Sequence, residues 1–142
     1  MIAALVALTL ALAAEPVEIR SAGDLKATGD QLAGEAEAKG IAGKTLGAGA
    51  VWRRSKSGMA ELHKTKTDLI VIQQGSATLV FGGRIPKAQV GAPNEMRGTS
   101  IEGGESRKVG PGDIIRIPAG TAHQFVLEKG QSVAYFAVKI AR

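Results

Sequence analysis

Residues 112–125, GDIIRIPAGTAHQF, decide how the rest of the chain is read. Ile114, Ile115 and Ile117, bounded by Gly112 and Pro118, form a β-branched run of the kind that makes a short strand. Pro118 and Gly120 then punctuate a tight turn, because Pro presets φ and Gly accepts φ > 0. A second strand is expected from His123 onward. On it His123, Phe125 and Leu127 share one face, since strand side chains alternate. One of the chain's two histidines therefore stands at the first inward position after a rigid turn, where a ligand or a base can be held.

The whole chain of 142 residues is one domain's worth, enough for a single core. Nineteen glycines suit many turns, and 4% aromatics leave the core to Val, Ile, Leu and Ala. A net charge of +5 permits attraction to anionic surfaces. Nucleic-acid binding would ask for basic residues interleaved with stacking aromatics, and only Trp52 beside Arg53 and Arg54 answers that description. The expected partners exclude nucleic acid. With no cysteine, disulfides, thiolate metal sites and a Cys nucleophile are all excluded.

Residues 1–14, MIAALVALTLALAA, are apolar apart from Thr9. The run falls short of the roughly 20 residues a spanning helix needs. It resembles a secretory h-region with an A-x-A site ending at Ala13. The expectation is a cleaved signal peptide, an exported (periplasmic or extracellular) mature protein and no stable membrane anchor. Residues 15–46 read as a helical segment and linker. Ser21 followed by Asp24 resembles a capping box with Asp in place of Glu. Leu25, Leu32 and Ala36 keep helical spacing, and Gly40 suits the C′ position, which predicts a helix over about residues 22–39. Residues 41–50 read as linker leading into a strand.

From residue 47 the texture changes to short strands parted by turns. Candidate strands are 51–55, 59–64, 68–73, 77–81, 99–102, 106–109, 114–117, 123–128 and 133–140. Turn signals this regular point to a sandwich or barrel of antiparallel strands. Residues 86–97, with Pro93 and Asn94, form a longer irregular stretch, expected to lie across a barrel mouth.

Glu61 and His63 are two apart on one strand and so share a face. If residues 65–67 turn the chain back antiparallel, Asp68 stands across from His63 at about 5 Å, and His123 joins from another strand. Two imidazoles with one or two carboxylates suit Fe(II), Mn(II) or Zn(II). The same groups can also act as a metal-free acid/base pair. Taken singly, each has a plainer reading, as a wet surface pair or a structural histidine. Phe125, Leu127 and Tyr135 are the expected pocket wall, with Arg97 and Arg116 as further candidates. The chain contains no H-E-x-x-H, G-x-S-x-G or G-x-x-x-x-G-K-[ST], so the common protease, hydrolase and nucleotide-binding signatures are absent.

Gly112-x5-Pro118-x-Gly120-x2-His123 resembles the second motif of the cupin superfamily, G-x5-P-x-G-x2-H-x3-N, with Leu127 in the final Asn slot. Glu61-x-His63-x4-Asp68-x6-Gly75 is similar to a degraded first motif, H-x-H-x(3,4)-E-x6-G. The resemblance covers about residues 47–142. It implies an all-β fold, a single cupin-type jelly-roll β-barrel preceded by a short N-terminal helix. It places His63 and His123 on two metal-binding histidines, Asp68 on the carboxylate ligand and Glu61 in the remaining ligand slot. A divalent metal (Fe, Mn or Zn), a small-molecule ligand and a homodimer are implied with it. The activity implied is that of a dioxygenase or isomerase, or of a non-catalytic small-molecule binder without a functional metal. A metal-free epimerase would need Tyr135 as an acid beside His63.

Overall fold

The computed structural model describes residues 15–142, and the expected signal peptide lies outside the described residues. The capping box forms as the sequence predicts. Ser21 Oγ accepts from the Asp24 N–H at 3.1 Å, and Asp24 Oδ2 accepts from the Ser21 N–H at 2.8 Å. It opens α1 (Ala22–Gln31). A break at Leu32 separates this helix from α2 (Ala33–Lys39), which ends on Gly40 in the left-handed region. The expected single helix is thus two.

Eleven strands follow: β1 (Ile41–Leu46), β2 (Gly49–Arg54), β3 (Ala60–His63), β4 (Lys66–Gly75), β5 (Ala77–Phe81), β6 (Gln89–Val90), β7 (Glu95–Gly98), β8 (Glu105–Val109), β9 (Ile114–Ile117), β10 (His123–Val126) and β11 (Val133–Ala141). β5 and β9 fall on the expected residues. β1 replaces the expected linker, and β6 and β7 form within the expected irregular stretch. Residues 99–102 hold only an isolated bridge between Glu102 and Arg84.

The strands form two antiparallel sheets, of order β1-β2-β11-β4-β9 and β6-β7-β3-β10-β5-β8. Among the described residues no strand pairing joins one sheet to the other, so the expected jelly-roll β-barrel is overturned: the strands form two facing sheets that do not close. Two features account for this. The edge strand β8, ESRKV, is exposed at four of its five residues, three of them charged, a composition that blunts further edge pairing. The Gly110-Pro111-Gly112 turn after it delivers β9 to the opposite sheet instead of back onto β8. Gly110 N–H donates to Asp113 Oδ2 at 2.8 Å, and Gly112 N–H donates to the Ile72 carbonyl of β4 at 3.0 Å.

The main core lies between the sheets, where Ile70, Ile72, Ile117, Val133 and Tyr135 of the first meet Leu79 and Phe125 of the second. Burying side chains of this size supplies about 1.5–3 kcal/mol each. A second cluster sits on the other face of the first sheet, where Leu32 and Ala36 of the helices cover Ala42 and Val51. The first sheet is thus covered on both faces, and its inward residues are left to the space between the sheets.

Gly75 ends β4 opposite Val133, beside a register shift at Ala134/Tyr135. Its φ is +68°, and a Cβ there would lie 1.9 Å from the Ser132 carbonyl oxygen. The close approach fixes how β11 enters the sheet, and only glycine permits it. Gly75→Ala is therefore expected to cost about 1–3 kcal/mol, measured as a lowered urea midpoint. An unchanged midpoint would contradict this register.

Candidate metal centre

Strand register builds the site. In the second sheet Glu61 of β3 pairs with His123 of β10 on one side and Arg97 of β7 on the other, and His63 pairs with Glu95. In the first sheet Asp68 of β4 pairs with Lys139 of β11. The Pro-x-Gly turn then locks the second sheet's contribution: Gly120 N–H donates to the His63 carbonyl at 2.8 Å, and Thr121 N–H to the Pro118 carbonyl at 3.1 Å.

Asp68 does not face His63 across a hairpin, as the sequence predicts. Strands β3 and β4 belong to different sheets, because the turn between them carries the chain across the core. The two residues meet all the same. Asp68 Oδ2 lies 3.3 Å from His63 Nε2 and 3.3 Å from His123 Nε2, reaching them from the opposite sheet. All three are buried, at 4% exposure for Asp68, 7% for His63 and 6% for His123. The imidazole centroids are 5.3 Å apart.

A hydrogen bond assigns the His123 ring proton. His123 Nδ1 lies 3.1 Å from the Thr121 carbonyl, which can only accept, so Nδ1 carries the proton and Nε2 a lone pair. His63 Nε2 lies between Lys139 Nζ at 2.7 Å and Asp68 Oδ2 at 3.3 Å, while its Nδ1 faces Glu95 Oε2 at 3.4 Å. Both Nε2 atoms point inward. Together with a carboxylate oxygen of Glu61 they form a group of donors within 4.8 Å of one another. Bonds of about 2.0–2.2 Å to one ion would draw these donors in by a few tenths of an ångström. The buried Glu61, His63 and His123 triad is geometrically consistent with coordinating a divalent metal. Asp68 stands against both imidazoles but outside that group. Its other oxygen, Oδ1, accepts from Lys139 Nζ at 2.8 Å.

Charges shape the titration. Burial works against ionised Asp68, but the His63 imidazole and the Lys139 ammonium outweigh it and hold the carboxyl below its ordinary range. Burial pushes His123 below its ordinary 6.5, only partly offset by the Thr121 carbonyl and Asp68. Burial likewise pushes the Tyr135 phenol up, against the pull of Arg54.

The site opens into a cavity of about 470 Å³ whose wall includes Phe125, Tyr135, Ile70, Trp52 and Met59. Phe125 and Tyr135 stack with centroids 5.0 Å apart. Leu127 packs against the main core and does not line the cavity, and neither does Arg116. The Tyr135 hydroxyl accepts from Arg54 Nε at 3.0 Å. Arg97 does line the cavity, bonded through Nε to Glu95 and lying 3.4 Å from Glu61.

Two residues escaped sequence reading. Lys139 is four residues beyond Tyr135 on one strand, so period two already put it on Tyr135's face. Glu95 carried no such signal, because β7 is four residues long and follows Pro93 and Asn94 directly.

With this geometry in view, comparison adds the fold. The chain is similar to the polyketide cyclase RemF from Streptomyces resistomycificus, at 25% identity and a TM-score of 0.52, over 71% of this chain and 65% of that one. It is similar to TT1209 from Thermus thermophilus at 13% identity and a TM-score of 0.50, over 72% and 84%. It is also similar to the Drosophila melanogaster CENP-C cupin domain at 14% identity and a TM-score of 0.48, over 68% and 63%. The chain spans less than two thirds of the length of the first and third of these. Each likeness is at low identity and over part of the chain, and it is a likeness of fold. No protein-family model matches the chain, and no curated protein does.

Two outcomes are expected. His123 and Asp68 both have depressed values, so the folded metal-free chain binds fewer protons than the unfolded one. Stability is then full above about pH 6.5 and falls on acidification, first through His123 and, below about pH 3.8, through Asp68. Urea midpoints at pH 8 and pH 5.5 check this, and equal midpoints would contradict it. Lys139→Met removes the ammonium from between Asp68 and His63. The metal-free variant should unfold at lower urea, yet bind zinc more tightly than the parent in a chelator competition. Unchanged zinc affinity would show that the ammonium does not oppose a metal.

Proposed function

We propose that this is an exported, single-domain, cupin-related protein that holds a divalent metal on Glu61, His63 and His123 and acts on a small molecule in the adjoining cavity, as a dioxygenase or isomerase. One observation carries the reading. Two inward imidazole nitrogens and a carboxylate oxygen converge within 4.8 Å of one another beside a cavity, a donor set of the right chemistry for one divalent ion. Two imidazoles and one carboxylate match the donor set of non-haem iron(II) sites. The group would supply Lewis acidity or one-electron chemistry when bound.

The chain's own part is defined by position. Thr121 and Glu95 orient the two imidazoles from their far sides. Phe125, Tyr135 and Ile70 form the apolar wall beside the donors. The cavity volume lies in the range of small-molecule sites, about 300–1,000 Å³. The first motif, with Glu61 and Asp68 where the family pattern has His and Glu, keeps oxygen donors at both altered slots. Export rests on the apolar leader over residues 1–14. The likeness to a polyketide cyclase is in keeping with a small organic substrate.

A second reading is favoured by Lys139, whose ammonium already serves His63 and Asp68 as the metal-free protein's own cation. On that reading the cavity is a non-catalytic binding site. Metal analysis after anaerobic loading with iron, manganese or zinc separates the two. One equivalent in the parent is expected, dropping at least about tenfold in affinity in His63→Ala and in His123→Ala. No metal above background in the parent would leave the binding-site reading standing.

A further inference from the structure

The cavity's charges are paired with one exception. Among the residues that line it, Arg97 lies between Glu95 and Glu61, and Lys139 holds Asp68. Arg54 lines the same cavity and enters none of the ion pairs among the described residues; its one hydrogen bond runs from Nε to the Tyr135 hydroxyl. A half-buried guanidinium with five donors and one neutral partner is under-used.

It is also held in place. Tyr135 is 5% exposed and stacked on Phe125, so its hydroxyl is a fixed acceptor. On the other side Arg54 Nη1 packs on the loop at Gly58, where a Cβ would come within 2.7 Å. That loop is pinned to β10, with Gly58 N–H donating to the Phe125 carbonyl at 2.9 Å and Gln124 Nε2 donating to the Gly58 carbonyl at 2.9 Å. Trp52, two residues before Arg54 on β2, lies across from Tyr135 in register and stands at the rim with Met59, partly exposed.

We propose that Arg54 is the anion anchor of the cavity, and that the ligand is an organic carboxylate whose flat apolar body lies against Phe125, Tyr135, Trp52 and Met59. The proposal rests on the small-molecule reading of the cavity given above, not on the metal. A guanidinium pairs two N–H groups with a carboxylate in one plane. Aromatic walls beside it favour a ring over an aliphatic chain of equal length. Without Arg54 the lining carries three carboxylates (Glu61, Asp68 and Glu95) against Arg97 and Lys139, and those two cations are already engaged by them, which leaves Arg54 as the cation open to a ligand.

The test uses the full chain and benzoate, with benzamide as its neutral isostere and acetate as the carboxylate without a ring. Binding is measured by titration calorimetry and ligand-observed NMR on chelator-treated and zinc-loaded protein. Benzoate should bind at least about tenfold more tightly than benzamide or acetate. Arg54→Gln should remove that preference while leaving benzamide binding and zinc stoichiometry unchanged, and Arg54→Lys should restore part of it. Thermal melts of both variants report whether the Tyr135 contact alone has been lost. Equal binding of benzoate and benzamide, benzoate binding unaffected by Arg54→Gln, or no saturable benzoate binding up to about 10 mM overturns the proposal. Arg54-dependent benzoate binding without metal uptake would sustain it while the metal reading fails. Metal uptake without that dependence would do the reverse.

Discussion

The hydrogen bond from Gly120 N–H to the His63 carbonyl ties the two parts of the site together. Strand β3 carries Glu61 and His63, strand β10 carries His123, and their only register pair is Glu61 with His123. So short a ladder leaves the relative tilt of the strands loosely held. The turn at Pro118–Gly120 supplies the second fixed point, bonding within itself through Thr121 and outward to His63. With two anchors on either side of the pair, both imidazoles are fixed, and Asp68 can approach from the facing sheet. Everything the cavity can do follows from that placement.

The legible part of the fold was its local part. The β-branched run Ile114–Ile117 and the alternation in Ala77–Phe81 are set by neighbouring residues, and both strands appear where those residues predict. The capping box at Ser21 is equally local. Connectivity across the core was not legible. Period two says which residues share a face but not whether the next turn returns to the same sheet, and the turn after His63 crosses to the other one. The jelly-roll expectation failed for a related reason. Motif spacing constrains the strands that carry the motif, whereas closure depends on edges such as β8, whose charged, exposed residues lie outside both motifs.

The candidate site was legible to the extent that its residues were chemically distinctive. Histidines are scarce in the chain, so His63 and His123 stood out, and Glu61 came with them by alternation. Lysine and arginine are common, and common residues give no sequence signal until register places them. Lys139 faces Asp68 because β11 lies beside β4, a pairing between strands separated by most of the chain. Arg54 and Tyr135 meet on the same strand's other flank. These basic residues decide the cavity's charge as much as the donors do.

Lys139 shows what the fold itself asks for at the site. Its side chain is 46% exposed, while the Asp68 it serves is almost wholly enclosed. The lysine's stem therefore contributes little to the core, and the fold's demand at this point is for a single positive charge. An ammonium on a strand end and an ion taken from solution are interchangeable solutions to that demand. Neither solution requires either sheet to be rebuilt.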